Sequence, residues 1–207
     1  MSGVLVVGAG GHAKVVIATL RAAGMDVAGV LDDRAESWGG SVLGCPVLGG
    51  LERLEQSADR AVLAIGSNAA RRDLAARFPN ATWATAIHPA ATVHESVKLG
   101  PGTVIFAGAV IQPDTVLGQH VIVNTGATAD HDCVLEDFVH VAPGVHLAGA
   151  VHLEEGVFLG VGCAVTPGIS VGRWTTVGAG GVVVRPLPAN TVAVGIPARP
   201  KEERIKP

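Results

Sequence analysis

With 207 residues and a net charge of −3, the chain has room for one large domain or two small ones and carries no basic face for nucleic acid. Aromatic residues are only 3% with no tyrosine, which removes the stacking platforms of single-strand binders. Three widely spaced cysteines (Cys45, Cys133, Cys163) read as reduced thiols of a cytoplasmic protein. The longest uncharged stretch, residues 156–172, is broken by glycines and Pro167, so no membrane insertion is expected.

In chain order, Val4–Val7 predicts a buried strand where a leader peptide would stand. Gly8-Ala9-Gly10-Gly11-His12-Ala13 and an apolar helical run to about Ala23 follow it. Val27–Leu31 predicts a second strand ending in Asp32-Asp33. Residues 61–65 predict a third strand, 68–78 a helix, and 82–87 a last strand entering the second half. Strands alternating with helices indicate a small, mostly parallel α/β domain over residues 1–86, with residues 87–207 as the second domain. Gly8-x-Gly10-x-x-Ala13 after a strand, with an acid roughly twenty residues on, fits a dinucleotide fingerprint. Alone it would suggest a nicotinamide oxidoreductase, but the segment is only about half of a two-lobed nicotinamide domain. The free N–H groups of a glycine loop at a helix start still make an anion site, suited to the phosphates or sugar of a nucleotide-linked substrate.

From Ile87 to Val183 every sixth residue is aliphatic, in the series Ile87, Val93, Leu99, Ile105, Ile111 and onward, and only Ala129 lacks a large side chain. Four residues after each stands a small or β-branched residue, such as Thr103, Val121, Cys133 or Cys163. A helix cannot hold a stripe at that period, whereas short strands joined by tight turns can. The pattern predicts a three-sided prism in which each hexapeptide supplies one strand and one corner, and residues one 18-residue coil apart stack. Glycine often follows the aliphatic residue directly, as in Leu99-Gly100 and Leu159-Gly160, where it is expected to suit the corner backbone. Cys133 and Cys163 are expected inside. The tail after Pro186 is expected to cap the prism and then fray.

Three histidines, His140, His146 and His152, are six apart, which puts them on three different faces and keeps one chain from gathering them round an ion. No metal is expected, and a zinc hydratase of the γ-class carbonic anhydrase kind is the lesser alternative, with two of them meeting at a trimer interface. His88 and His120 are expected to be solvated. His131 lies next to the break at Ala129 and is followed by Asp132. An imidazole beside a carboxylate has a fixed tautomer and a favoured charged form, the equipment of a general base. Gly149, one coil on, offers a backbone N–H that an oxyanion can approach.

Gly8-Ala9-Gly10-Gly11-His12-Ala13-Lys14-Val15, Ala64-Ile65-Gly66-Ser67-Asn68, Asn124-Thr125-Gly126-Ala127 and Phe138-Val139-His140-Val141-Ala142-Pro143, together with His131-Asp132, carry a resemblance. Over essentially its whole length the chain resembles the bacterial sugar O-acyltransferases of the sialic acid NeuD and PglD type. The resemblance implies a left-handed β-helix, a homotrimer, and acetyl-CoA as co-substrate between neighbouring prisms. The implied acceptor is the amine, at C4, of a nucleotide-linked amino-deoxy sugar such as GDP-perosamine or a UDP-4-amino-4,6-dideoxy sugar, with sialic acid O-acetylation as the alternative. His131 corresponds to the general base and Asp132 to its acidic neighbour. His140, Val161 and Ala179 correspond to CoA contacts, and Val161 and Ala179 are one coil apart. Gly10, Gly11, His12, Asp32 and Asp33 match the sugar-nucleotide positions, and Gly66 and Asn68 join them. Arg34 departs from the family pattern, which leaves UDP and GDP both open. The expected reaction is direct transfer with no covalent enzyme intermediate.

Overall fold

The computed structural model describes residues 3–55 and 60–201. Five strands form the sheet of the N-terminal half: β1 (Val4–Val7), β2 (Val27–Leu31), β3 (Ser41–Val42), β4 (Cys45–Gly49) and β5 (Arg60–Leu63), in the order β3-β4-β2-β1-β5. β1 runs parallel to β2 and β5, and β2 to β4, while β3 turns back antiparallel on β4. The helices are α1 (Gly11–Ala22), the single turn α2 (Glu52–Glu55) and α3 (Asn68–Arg77). α1 buries Ala13, Val16, Ile17 and Leu20, the spacing of one helical face. The β3–β4 hairpin has no counterpart in the sequence expectation. Its two turn residues, Leu43 and Gly44, both take positive φ (48° and 74°), as a tight hairpin turn requires. A leucine at such a position, followed by Pro46 in the strand, hides the signal.

The prism is built from two-residue strands that step by six from Ala86–Ile87 to Val182–Val183 and form three parallel sheets. The first sheet holds Val104–Ile105, Ile122–Val123, His140–Val141, Phe158–Leu159 and Thr176–Val177. The second holds Val110–Ile111, Thr128–Ala129, His146–Leu147 and Ala164–Val165. The third holds Val116–Leu117, Val134–Leu135, His152–Leu153 and Ser170–Val171. Partners are one coil apart, as in Ile122 opposite His140 and Thr128 opposite His146. The register residues point inward, and Cys133 and Cys163 join them at no measurable exposure. Burial pushes both thiols up, so they are inert core groups.

Glycine has a different place in the coil from the one the sequence suggests. Positive φ recurs at every sixth residue from Gly102 to Gly180, three positions after the aliphatic residue, and includes His120 and Asp132. The glycines directly after the aliphatic residue serve close approach instead. A Cβ on Gly160 would lie 2.7 Å from the Ala179 nitrogen, and one on Gly118 2.7 Å from the Asp137 nitrogen. The tail closes the last coil: Val192–Val194 adds in parallel to Thr176–Val177, and Arg199–Pro200 folds back antiparallel. Leu187 and Ala193 are buried in the core. The expected fraying falls on residues 202–207, outside the described residues.

The two halves share one core. Ala13, Val16, Ile17 and Leu20 of α1 cluster with Ala86, Val104, Phe106 and Ile122 of the prism's first sheet. Polar staples complete the seam. Arg71, 1% exposed, donates from Nη1 to the carbonyls of Ile65 and Gly66, from Nε to His120, and from Nη2 to Phe138 and Val139. Asn68 Nδ2 donates to the carbonyls of Gly156 and Val157 at 3.0 and 3.1 Å. No helix among the described residues is long and apolar enough to cross a membrane.

Candidate active site

His131 sits on the corner between the prism's second and third sheets, between Thr128–Ala129 and Val134–Leu135. Its backbone N–H donates to Asp130 Oδ1 at 2.8 Å, and Asp132 takes the left-handed corner conformation with φ 60°. That turn folds Asp132 back so that its Oδ2 lies 2.7 Å from His131 Nδ1. The carboxylate accepts a hydrogen bond from Nδ1–H, which leaves Nε2 as the basic nitrogen of the neutral ring. The Asp132 hydrogen bond raises the imidazole above its ordinary range. Both side chains are 60% exposed. The ring of His131 lies over Gly149: a Cβ there would stand 2.6 Å from its Cε1 and Nε2. Among the described residues the Gly149 N–H has no hydrogen-bond partner.

A second feature is a cleft of about 470 Å3 at the carboxyl ends of β1 and β2, lined by Gly8, Gly10, Gly11, His12, Asp32, Asp33, Arg34 and Gly66. Gly8 is glycine for the fold, because its φ is 108° and a Cβ would press on Ile65 Cγ1 at 3.1 Å. Gly10, Gly11 and Gly66 are different. None has a left-handed φ, and a Cβ on any of them would meet nothing within 4 Å. The fold does not require glycine at these positions, whereas a ligand lying against the backbone would. Gly10 caps α1 without a side-chain hydrogen bond, so the helix start keeps donors for an anion.

The acids have less freedom than their position implies. Asp32 is held at a pKa of about 2, first by the side chain of Arg34 and also by the N–H groups of Ala9 and Arg34. Its carboxylate is therefore a structural anchor rather than an open acceptor. Asp33 is half exposed; its Oδ1 accepts from Leu51 N–H at 2.9 Å and its Oδ2 pairs with Arg77 at 3.0 Å. Asn68 lies outside this cleft, with its Nδ2 group donating to prism carbonyls.

His140 is buried in the seam, where Nδ1 donates to Gly66 O and Nε2 accepts from Asn124 Nδ2, both at 3.2 Å. His120 is also buried, contrary to the expectation of a solvated corner, because the first domain covers that corner. Its ring stacks on Phe138 and meets Trp83 edge-on. Burial, with Arg71 nearby, pushes His12 and His120 down to about 4 and His140 to about 3. Arg71 itself is lowered by burial only to about 9 and stays charged at neutral pH. The folded chain therefore keeps three rings neutral that the unfolded chain would protonate near the ordinary 6.5. Stability is expected to be full above about pH 6.5 and to fall as pH drops toward 4. Urea midpoints at pH 7.5 and pH 5 measure this, and equal midpoints would contradict it.

Val161, 56% exposed, and the exposed Ala179 share the corner between the first and second sheets, with Gly180 N–H donating to Val161 O at 2.8 Å. The sequence-derived groups thus occupy three separate places. The cleft lies on the side of the first sheet, Val161 and Ala179 lie on one corner, and His131 lies on the corner opposite the first sheet. His140, His146 and His152 stand on three different sheets. Among the described residues no three His, Cys, Asp or Glu side chains gather as ion ligands. The buried Arg71 escaped the sequence reading as part of this region, and Arg34, which the sequence offers only as a departure from the family pattern, lines the cleft. Arg71 sits beside the exposed Arg72 on one helix, so nothing in the pattern separates them.

A prism of hexapeptide coils with an exposed His-Asp pair at a corner defines the class of hexapeptide-repeat acyltransferases. Residues 3–78 match the family model described as the PglD N-terminal domain. Perosamine N-acetyltransferase from Caulobacter crescentus, solved as a histidine-to-alanine variant with CoA and GDP-perosamine, is 45% identical over 98% of both chains with a TM-score of 0.93. The acetyltransferase domain of PglB from Neisseria gonorrhoeae, solved with acetyl coenzyme A, is 37% identical over 97% of this chain and 99% of that one, with a TM-score of 0.91. UDP-N-acetylbacillosamine N-acetyltransferase from Bacillus subtilis is 41% identical over 114 residues, about half of either protein (52% of each). The chain belongs to the NeuD/PglD family of amino-sugar acetyltransferases, with its left-handed β-helix.

Proposed function

We propose that this protein transfers the acetyl group of acetyl-CoA to the amine, at C4, of a nucleotide-linked amino-deoxy sugar, GDP-perosamine or a UDP-4-amino-4,6-dideoxy sugar. The observation that carries this reading is the set of three cleft glycines, Gly10, Gly11 and Gly66, that the fold itself does not need. They leave backbone open to a ligand at a helix start suited to phosphates. Relatives that span nearly the whole chain hold CoA with GDP-perosamine, and acetyl coenzyme A.

In the proposed reaction the sugar amine attacks the thioester carbonyl and the C–N bond forms. His131 Nε2 takes the amine proton while Asp132 supports the imidazolium, and the Gly149 N–H faces the oxyanion. Collapse breaks the C–S bond, and the departing CoA thiolate recovers the proton. Placement of the groups favours a homotrimer. A chain cannot carry sugar from its cleft to its own His131 across the width of the prism, so the base comes from a neighbour, and a C3 ring gives every cleft one. Val161 and Ala179 then line the groove for the pantetheine arm, and His140 acts by holding Gly66 and Asn124 rather than by open contact. The three buried, free cysteines fit the reducing cytoplasm, where we place the reaction. CoA release measured across GDP- and UDP-linked 4-amino sugars tests the reading. N-acetylated product with at least one is expected, and no thiol release with any would overturn it.

A further inference from the structure

In dinucleotide-binding sheets the acid that closes the second strand receives ribose hydroxyls. Asp32 stands at that place with its acceptors engaged. Oδ2 accepts from Ala9 N–H at 2.7 Å and Arg34 Nη2 at 3.0 Å, and Oδ1 accepts from Arg34 N–H and Nε, both at 2.9 Å. The carboxylate has become a mount for a guanidinium. The mount is stiff, since the Arg34 carbonyl accepts from Ser37 Oγ at 2.7 Å and the Trp38 indole N–H donates to the Asp32 carbonyl at 2.7 Å. Arg34 lines the cleft with its side chain 58% exposed. Asp32 occupies the Nε–Nη2 edge. The Nη1–Nη2 edge has no partner among the described residues and presents two parallel donors, fixed in orientation before any ligand arrives.

We infer that Arg34 selects the nucleotide, its free guanidinium edge reading a base with two adjacent acceptors, guanine O6 and N7. This rests on the proposed reading of the cleft as a nucleotide-sugar site. Adenine sets a donor beside N7, and uracil sets a C–H beside O4, so each leaves one N–H of the fork unanswered. The phosphates have their own donors at the start of α1, which leaves Arg34 for the base.

Calorimetric titration of GDP, ADP and UDP into the wild-type protein, Arg34→Gln and Arg34→Lys tests this. Wild type is expected to bind GDP about tenfold or more tighter than ADP and UDP. Both variants should bring the three within about twofold, mostly by weakening GDP, because lysine keeps the charge but not the planar fork. Three results would overturn the inference: a GDP preference that persists in both variants, equal weakening of all three nucleotides, or no GDP preference in the wild type. The last decides the matter even if a variant misfolds. Failure of every nucleotide to bind the wild type would instead overturn the reading of the cleft, and the inference with it.

Discussion

Replacing His131 with alanine is expected to lower turnover by about 10²–10⁴, the range for loss of a general base, while CoA affinity and assembly survive. His131 is exposed and holds up no core, so the fold has little to lose; its one side-chain hydrogen bond among the described residues is with Asp132. The same geometry sets a pH signature. Asp132 raises the His131 pKa, and only the neutral ring accepts a proton. The acid limb of kcat should therefore lie above the ordinary imidazole value of about 6.5 and move down in Asp132→Asn. Steady-state kinetics on folded variants measures both effects. Near-normal turnover at neutral pH in His131→Ala would remove this residue from the chemistry.

Arg71→Met is expected to be the most destabilising single change in the seam. Methionine fills much of the volume but answers none of the carbonyls of Ile65, Gly66, His120, Phe138 and Val139. The carbonyls of Gly66 and Val139 keep the His140 ring and the Ile122 N–H, whereas those of Ile65, His120 and Phe138 lose their donor. Such buried acceptors cost about 1–3 kcal/mol each, so a total of about 3–5 kcal/mol is expected after relaxation. For a chain of this size that corresponds to a fall of about 10 °C in Tm. Among the described residues no carboxylate pairs with Arg71, so the charge rests on carbonyl dipoles, and Arg71→Lys should recover only part of the loss. A Tm within about 2 °C of wild type would mean that the seam does not depend on the Arg71 hydrogen bonds.

The prism was legible because its physics is one-dimensional. Each coil repeats the same inward residue, so Ile105, Val123, Val141 and Leu159 announce their stacking without any partner. His131 and Asp132 were legible because their geometry is local, a corner and the residue beside it. The misreadings share one cause. His120 occupies a corner like any other in the repeat, and only a domain packed across it makes it buried; a repeat pattern carries no record of what covers it. Asp32 has the right place for a ligand acceptor, but its hydrogen bonds come from Ala9 and Arg34, and a motif spacing does not list competing donors. Ala129 drew attention to the corner that holds His131 and Asp132, yet it is itself a buried core residue.

The central claim is that sugar cleft and general base come from different chains, and mixed assemblies test it most directly. One variant carries His131→Ala with an intact cleft. The other keeps His131 and carries Gly11→Phe, which fills the cleft at a position where a side chain meets nothing in the fold. Each alone is expected to be inactive. Co-expressed in equal amounts, they should form trimers in which about one site in four pairs an intact cleft with a neighbour's His131, restoring about a quarter of wild-type activity. Mixed trimers as inactive as their parents would show that each chain uses its own histidine, and the account would be wrong.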